Sequence, residues 1–183
     1  MTKYYFVRHG ESTANVDRVS AGWSDVALTE NGINQAYKTA KEIKDLGIKF
    51  DVIISSPLSR ALDTAKIIAK LNNYPEQSIK LLDKLKEKSA GSMELGPISV
   101  IFDKTEQEFK EMGGENAEMF RDRVRIVLEE IKKLSKGCNI VLIVAHSGIY
   151  KMAEVIDKKL EPATTMYDVE VPKNADFIDF PLN

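Results

Sequence analysis

Residues 4–7, 52–54 and 140–145 form three short runs that are apolar at nearly every position rather than at every second one. A strand with both faces covered reads this way, so the runs predict central strands of a parallel sheet. A weaker run at residues 79–82 is a fourth candidate. Between the first two runs the period changes, because Ile33, Ala36, Tyr37, Ala40, Ile43 and Leu46 recur at helical spacing. Thr29 is placed to cap the start of that helix and Gly47 its end. After the second run, Ser56 as cap and Pro57 at the first position predict a helix with Leu58, Ala61, Leu62, Ala65 and Ile68 on its inner stripe. Arg60 then falls in its first turn. Phe120, Val124, Val127, Leu128, Ile131 and Leu134 mark a longer amphipathic helix, closed by Gly137 and expected to pack beside the strand at 140–145.

Two stretches break the rhythm. Residues 91–115 hold Gly91, Gly96, Gly113 and Gly114 and lose the helical period, which predicts a mobile excursion with at most a short helix near Glu106. Residues 167–171 and 176–180 flank a Pro-Lys-Asn-Ala turn and predict a terminal hairpin or two edge strands. Strands alternating with helices argue for an α/β fold: a doubly wound, mainly parallel sheet with helices on both faces. Ligands of such a sheet bind at the carboxyl ends of its strands.

At 183 residues and 43% hydrophobic content, the expectation is one domain over residues 1–183. A formal net charge of −2 lacks the positive field of a nucleic-acid binder, so an anion site has to be local. The single cysteine, Cys138, has no partner in the chain and no CxxC neighbour, and reads as a spectator thiol. No run approaches membrane-spanning length, and the opening MTKYYFVRHG lacks the features of a signal peptide. These features predict a cytoplasmic protein with no membrane partner; no oligomeric state is read from them.

The two histidines of the chain, His9 and His146, each stand just beyond an apolar strand and within two residues of a glycine. Both therefore point to the same edge of the sheet. Arg8 precedes the first, and Arg60 can reach the same crevice from its helix. Arginine forks offer paired donors to phosphate oxygens, and a neutral imidazole can act as nucleophile or donor. The set suits a phosphate dianion. Zinc would ask for further Cys, Asp or Glu ligands and would be repelled by two arginines, so neither a metal nor another cofactor is expected. Each residue also has a plainer reading. His146 alone reads as a structural histidine, Arg60 alone as a surface cation, and Glu87, among Lys84, Lys86 and Lys88, as an exposed ion pair. Ser12 and Asn15 are turn residues or phosphate contacts, Gly10 and Gly22 permit tight turns or close approach, and Trp23 is a lid or a packing residue.

Arg8-His9-Gly10-Glu11-Ser12, with Asn15 following, resembles the signature of the histidine phosphatase superfamily, also called phosphoglycerate-mutase-like. The likeness runs from residue 3 to about 155. It continues through Gly22 and Asp25, Leu28-Thr29-Glu30-Asn31-Gly32, Gln35-Ala36 and Ser55-Ser56-Pro57-Leu58-Ser59-Arg60-Ala61. Leu85-Lys86-Glu87 with Gly91, Gly114-Glu115 with Phe120-Arg121 and Val124, and Val144-Ala145-His146-Ser147-Gly148 complete it. By this resemblance His9 attacks phosphorus, Arg8, Arg60 and His146 hold the equatorial oxygens, and Glu87 protonates the leaving alcohol and later activates water. Ser12, Asn15 and Gly22 are the further candidates for phosphate contact. The chain departs from the family pattern at Ser147, Ala27, Met93 and Leu95; the last two flank Glu94, so Glu94 and Asp83 remain alternatives to Glu87 as the acid. The resemblance implies a metal-independent phosphatase acting on a small phosphorylated substrate. A cofactor-dependent phosphoglycerate mutase is the close alternative, although mutases of the superfamily generally carry a longer insertion where residues 88–114 stand here. A non-catalytic binding module on the same fold is the third reading.

Overall fold

The computed structural model describes residues 1–102, 104–161 and 169–182. Five strands, β1 (Lys3–Arg8), β2 (Val52–Ser55), β3 (Lys80–Leu81), β4 (Ile140–Ala145) and β5 (Phe177–Asp179), form one sheet in the order β3-β2-β4-β1-β5. The first four are parallel, and β5 closes the β1 edge antiparallel. The α/β sheet with helices on both faces is therefore as its apolar runs predict. Its strands are apolar throughout because alternate side chains feed two separate cores. Val7, Ile53, Leu142 and Val144 pack with Ala40 and Ile43 of a helix at Glu30–Asp45 and with Ala61, Ala65 and Ile68 of one at Ser59–Leu71. Phe6, Ile54, Val141 and Ile143 pack on the opposite face with Phe120, Val124, Val127 and Ile131 of a helix at Ala117–Leu134 and with Ile149 and Met152 of one at Ser147–Asp157. Each such Val, Leu, Ile, Phe or Met side chain contributes about 1.5–3 kcal/mol on burial, an upper figure because unfolded chains are already partly compact.

Counting in chain order, α1 is Thr13–Asp17, α2 Glu30–Asp45, α3 Ser59–Leu71, α4 Ile98–Phe102, α5 Glu106–Glu111, α6 Ala117–Leu134 and α7 Ser147–Asp157. Thr29 does cap α2, its hydroxyl accepting from the Gly32 N–H at 2.9 Å. The buried stripe of α2 is narrower than its periodicity suggests. Gly32, Ala36, Thr39, Ala40 and Ile43 face inward, whereas Ile33, Tyr37 and Leu46 are exposed. The helix lies too close for large side chains: a Cβ on Gly10 would collide with the Gly32 carbonyl. The start of α3 also differs, because Leu58 and not Ser56 is the capping residue. Ser56 is engaged instead by His146, through a 2.9 Å hydrogen bond.

Residues 91–115 contain more order than their composition suggests. Thr105 caps α5 with Glu108 in a capping box, which agrees with the short helix expected near Glu106. The five-residue α4 is too short to show a period and was not predicted. The terminal hairpin is corrected. Phe177–Asp179 is a strand, but it pairs with β1, and residues 169–171 are not a strand; residues 167 and 168 lie outside the described residues. The intervening turn serves the sheet's end: the Ala175 N–H donates to the Arg8 carbonyl at 3.0 Å, and Arg8 Nη1 donates to the Pro172 carbonyl at 2.9 Å. Among the described residues, no helix is long and apolar enough to cross a membrane.

Candidate active site

Parallel pairing of β1 with β4 explains why the two histidines meet. Arg8 is in register with Ala145, and the His9 N–H donates to the Ala145 carbonyl at 3.0 Å, so both strands deliver their next residue to one point. The imidazole centroids stand 5.2 Å apart, edge to face. His9 is only 5% exposed. Its Nδ1 lies 2.7 Å from the Gly10 carbonyl, which can only accept; the proton therefore sits on Nδ1, and Nε2 keeps its lone pair. Burial, then the charge of Arg60 and to a lesser degree that of Arg8, pushes the His9 pKa down to about 3, against a smaller opposing effect of the Gly10 hydrogen bond. At neutral pH the ring is uncharged. His146, at the start of α7, is completely buried. Its Nε2 pairs with Ser56, and its Nδ1 has no hydrogen-bond partner among the described residues. Burial foremost, then Arg60, His9 and Arg8, holds His146 well below the ordinary histidine range.

The neutral histidines have a consequence for stability. Between the depressed folded pKa of about 3 and the ordinary value near 6.5, the unfolded chain binds a proton at His9 that the folded protein does not. Stability is therefore expected to fall as pH drops below about 6.5, by up to roughly 1.4 kcal/mol per unit for His9, with His146 adding in the same sense. Denaturant unfolding at pH 7 and pH 5 checks this. Replacing His9 by Ala should make the decline shallower, and an unchanged slope would contradict the burial argument.

Two guanidiniums flank His9. Arg60, 1% exposed in the first turn of α3, donates from Nη1 to the Ser24 carbonyl at 3.0 Å and from Nη2 to the Gly22 carbonyl at 2.9 Å. The loop at residues 22–24 thereby fixes the fork, and Gly22 allows its turn with a φ of +49°. Arg8, tied to Pro172 through Nη1, has a buried Nε without a hydrogen-bond partner among the described residues. Burial lowers the pKa of both arginines, and the charge of Glu87 opposes it. Ser12 and Asn15 are first of all turn residues: the Ser12 N–H and hydroxyl donate to Asn15 Oδ1 at 3.0 and 3.1 Å. Asn174 spans the same corner, donating to the His9 carbonyl at 3.0 Å and to Asn15 Oδ1 at 3.2 Å. Asn174, Pro172 and Ala175 carry no sequence signal of this role.

The three acidic candidates separate in space. Glu87 Oε2 accepts from the Gly148 N–H at 3.1 Å at the positive end of α7, with the Ser147 hydroxyl at 3.4 Å, and Oε1 accepts from the Lys88 N–H at 2.8 Å. The unusual Ser147 thus touches the carboxylate. Glu94 spends both oxygens on the other loop, accepting from the Trp23 N–H at 2.9 Å and the Ser24 hydroxyl at 2.7 Å. Asp83 has a side chain 74% exposed and pairs with Lys86. Trp23 is an anchor: its indole N–H donates to the Glu87 carbonyl at 2.7 Å.

Arg123 is a further residue that sequence reasoning missed. Its Nε and Nη2 reach the Glu115 carboxylate at 2.6 Å each, Nη1 donates to the Lys84 and Lys86 carbonyls at 2.7 and 2.8 Å, and Nη2 also donates to the Glu87 carbonyl at 2.9 Å. One fork thus holds three carbonyls of the segment that carries Glu87. The available signal was a charge three residues after Phe120 and four before Val127, on the inner stripe of α6.

A cavity of about 200 Å³ opens over this group. Arg8, His9, Ser12, Asn15, Gly22, Arg60 and Glu87 line it; His146 stands behind His9, and Glu94 and Asp83 lie outside. Among the described residues, no group of three or more His, Cys, Asp or Glu side chains is placed to hold a metal ion.

Comparison with known proteins gives related sequences and structures. The sequence pattern of the histidine phosphatase superfamily (branch 1) matches residues 4–165. The 2,3-bisphosphoglycerate-dependent phosphoglycerate mutase of Borrelia garinii is 39% identical over 94 residues, 51% of this chain and 38% of the mutase. The match thus spans well under half the length of that relative. The phosphoserine phosphatase of Entamoeba histolytica, solved in complex with 3-phosphoglyceric acid, superposes with a TM-score of 0.78 over 97% of this chain and 89% of its own, at 28% identity. The α-ribazole phosphatase of Shigella flexneri, at 24% identity, superposes with a TM-score of 0.78 over 94% and 87% of the two chains, a likeness of fold alone.

Proposed function

The chain belongs to the histidine phosphatase superfamily (branch 1), and from that premise we propose that it hydrolyses small phosphomonoesters through a phosphohistidine on His9. One observation carries the proposal: a neutral imidazole with Nδ1 tied to the Gly10 carbonyl and Nε2 free lines a cavity between two largely buried guanidiniums. Nε2 attacks phosphorus, and the bond to the ester oxygen breaks as a proton from the Glu87 carboxyl moves to that oxygen, releasing the alcohol. Arg8 and Arg60 balance the charge spread over the equatorial oxygens; His146, uncharged and outside the cavity lining, adds no charge to them. Water then attacks the phosphohistidine, gives its proton to the Glu87 carboxylate and frees phosphate, restoring both groups. Residues 1–183 act as one domain in this reading, in the cytoplasm, on a small phosphorylated substrate without a nucleic-acid partner.

A panel of phosphomonoesters with free phosphate as readout tests the proposal. Turnover is expected to persist in strong chelator and to be inhibited by vanadate, phosphate or sulfate. Arg8 and Arg60 already supply the positive charge that a metal brings to other phosphatases. Activity lost in chelator and restored by a divalent metal would contradict the assignment. The partial match to a mutase favours a second reading, transfer of phosphate between positions of one substrate. Incubation of 3-phosphoglycerate with 2,3-bisphosphoglycerate separates the two: the proposal expects free phosphate, the alternative 2-phosphoglycerate.

A further inference from the structure

Glu87 lies on a stretch, residues 87–90, that belongs to neither helix nor strand. A proton donor on such a segment has no regular backbone to aim it, and a misplacement of about 1 Å costs up to roughly a hundredfold in rate. The fit is close, because a Cβ on Gly148 would collide with Glu87 Oε1 at the start of α7. What holds the backbone in place is the Arg123–Glu115 pair. All five N–H donors of the Arg123 guanidinium are engaged, two by Glu115 and three by the carbonyls of Lys84, Lys86 and Glu87. Glu115 Oε2 in turn accepts from the Ser89 N–H at 2.8 Å, so the pair grips the backbone on both sides of Glu87. Its base is rigid, since Phe120 and Val124 beside it on α6 are fully buried. The pair also adjoins the phosphate end. The Trp23 ring centroid lies 5.7 Å from Arg123 Cζ, the indole N–H shares the Glu87 carbonyl, and the loop of Trp23 holds Arg60. With every donor engaged and no place on the cavity wall, Arg123 has nothing to offer a substrate directly.

We propose that Arg123 is a positioning residue: with Glu115 it keeps Glu87 in register with Arg60, so that the Glu87 carboxyl meets the leaving oxygen while the guanidiniums hold the phosphoryl group. This rests on the phosphatase reading of the site and on Glu87 as its acid. Fixing the segment matters for breaking the bond to a poor leaving group. It matters little for binding an oxyanion, which Arg8 and Arg60 do without Glu87. Lysine at position 123 would keep the charge, but its three donors cannot serve the five acceptors that surround the fork.

The test follows phosphorylation of His9 in a single turnover of Arg123→Lys, with an alkyl and an aryl phosphate. The alkyl reaction is expected to slow by about ten- to a hundredfold, the scale of a misplaced catalytic group. The aryl reaction should change little, and vanadate should bind as it does to the wild type. In a Glu87→Gln background the same substitution should slow the alkyl reaction no further, because the group that Arg123 positions can no longer give a proton. Glu115→Gln keeps the shape of the pair but loses its charge; it is expected to show the same pattern, and it serves if Arg123→Lys does not fold. No loss with the alkyl phosphate, equal loss with both esters, or an additional loss in the Glu87→Gln background overturns the positioning role and leaves the phosphatase reading standing. Absence of any leaving-group effect in Glu87→Gln removes Glu87 as the acid, and a wild type that never phosphorylates His9 removes the phosphatase reading itself; the inference goes with either.

Discussion

His9→Ala is expected to lose phosphomonoester hydrolysis by about four orders of magnitude or more, the scale seen when a covalent nucleophile is removed. The size of the effect follows from the site's division of labour. Arg8 and Arg60 can bind and polarise a phosphate, but neither they nor His146 offers an uncharged lone pair inside the cavity: the arginines are cations, and His146 is fully buried behind His9 with its Nε2 on Ser56. Removing the ring also removes a buried base that acid would charge beside Arg8 and Arg60, so the variant should remain folded and be less sensitive to acid than the wild type. Phosphate or vanadate should still bind it. Initial rates and oxyanion binding measured on the same preparation separate lost chemistry from lost structure, and turnover within tenfold of the wild type would contradict the role given to His9.

Glu87→Gln should slow the phosphorylation half-reaction with an alkyl phosphate by about two to four orders of magnitude, the usual range for a general acid. An aryl phosphate, whose phenolate leaves with little help, should lose far less in a single turnover. The amide keeps the shape that accepts from Gly148 and Ser147 but cannot deliver a proton to the ester oxygen. Glu94→Gln is expected to behave differently. Its carboxylate fastens Trp23 and Ser24, and the Ser24 carbonyl holds Arg60, so the loss should appear as weaker phosphate binding with little dependence on the leaving group. Strong leaving-group dependence in Glu94→Gln and none in Glu87→Gln would exchange the two roles.

The parts legible in the sequence were those whose cause is local. Central strands declared themselves because both faces of β1, β2 and β4 are buried, and His9 and His146 because each immediately follows such a strand. Arg60 was placed by its position after β2 on the first turn of α3. What escaped depends on contacts between distant segments. The stripe of α2 turned toward its small residues because Gly10 lies against Gly32. Nothing near Asn174 or Pro172 announces that they brace the Arg8 and His9 turn. Arg123 looked like one more charge on an amphipathic helix, although with side chains 14% and 11% exposed it and Glu115 form a buried pair under the Glu87 segment. Breaking such a pair costs about 3–5 kcal/mol, so the segment that carries Glu87 is tied to the core rather than draped over it.

The most direct test of the central claim is to mix the protein with a radiolabelled phosphomonoester, quench within a turnover, and map the label. The account predicts a phosphoryl group that is labile in acid and stable in base, sits on Nε2 of His9, and is missing from His9→Ala. Label that persists in His9→Ala, or that is stable in acid, would contradict it.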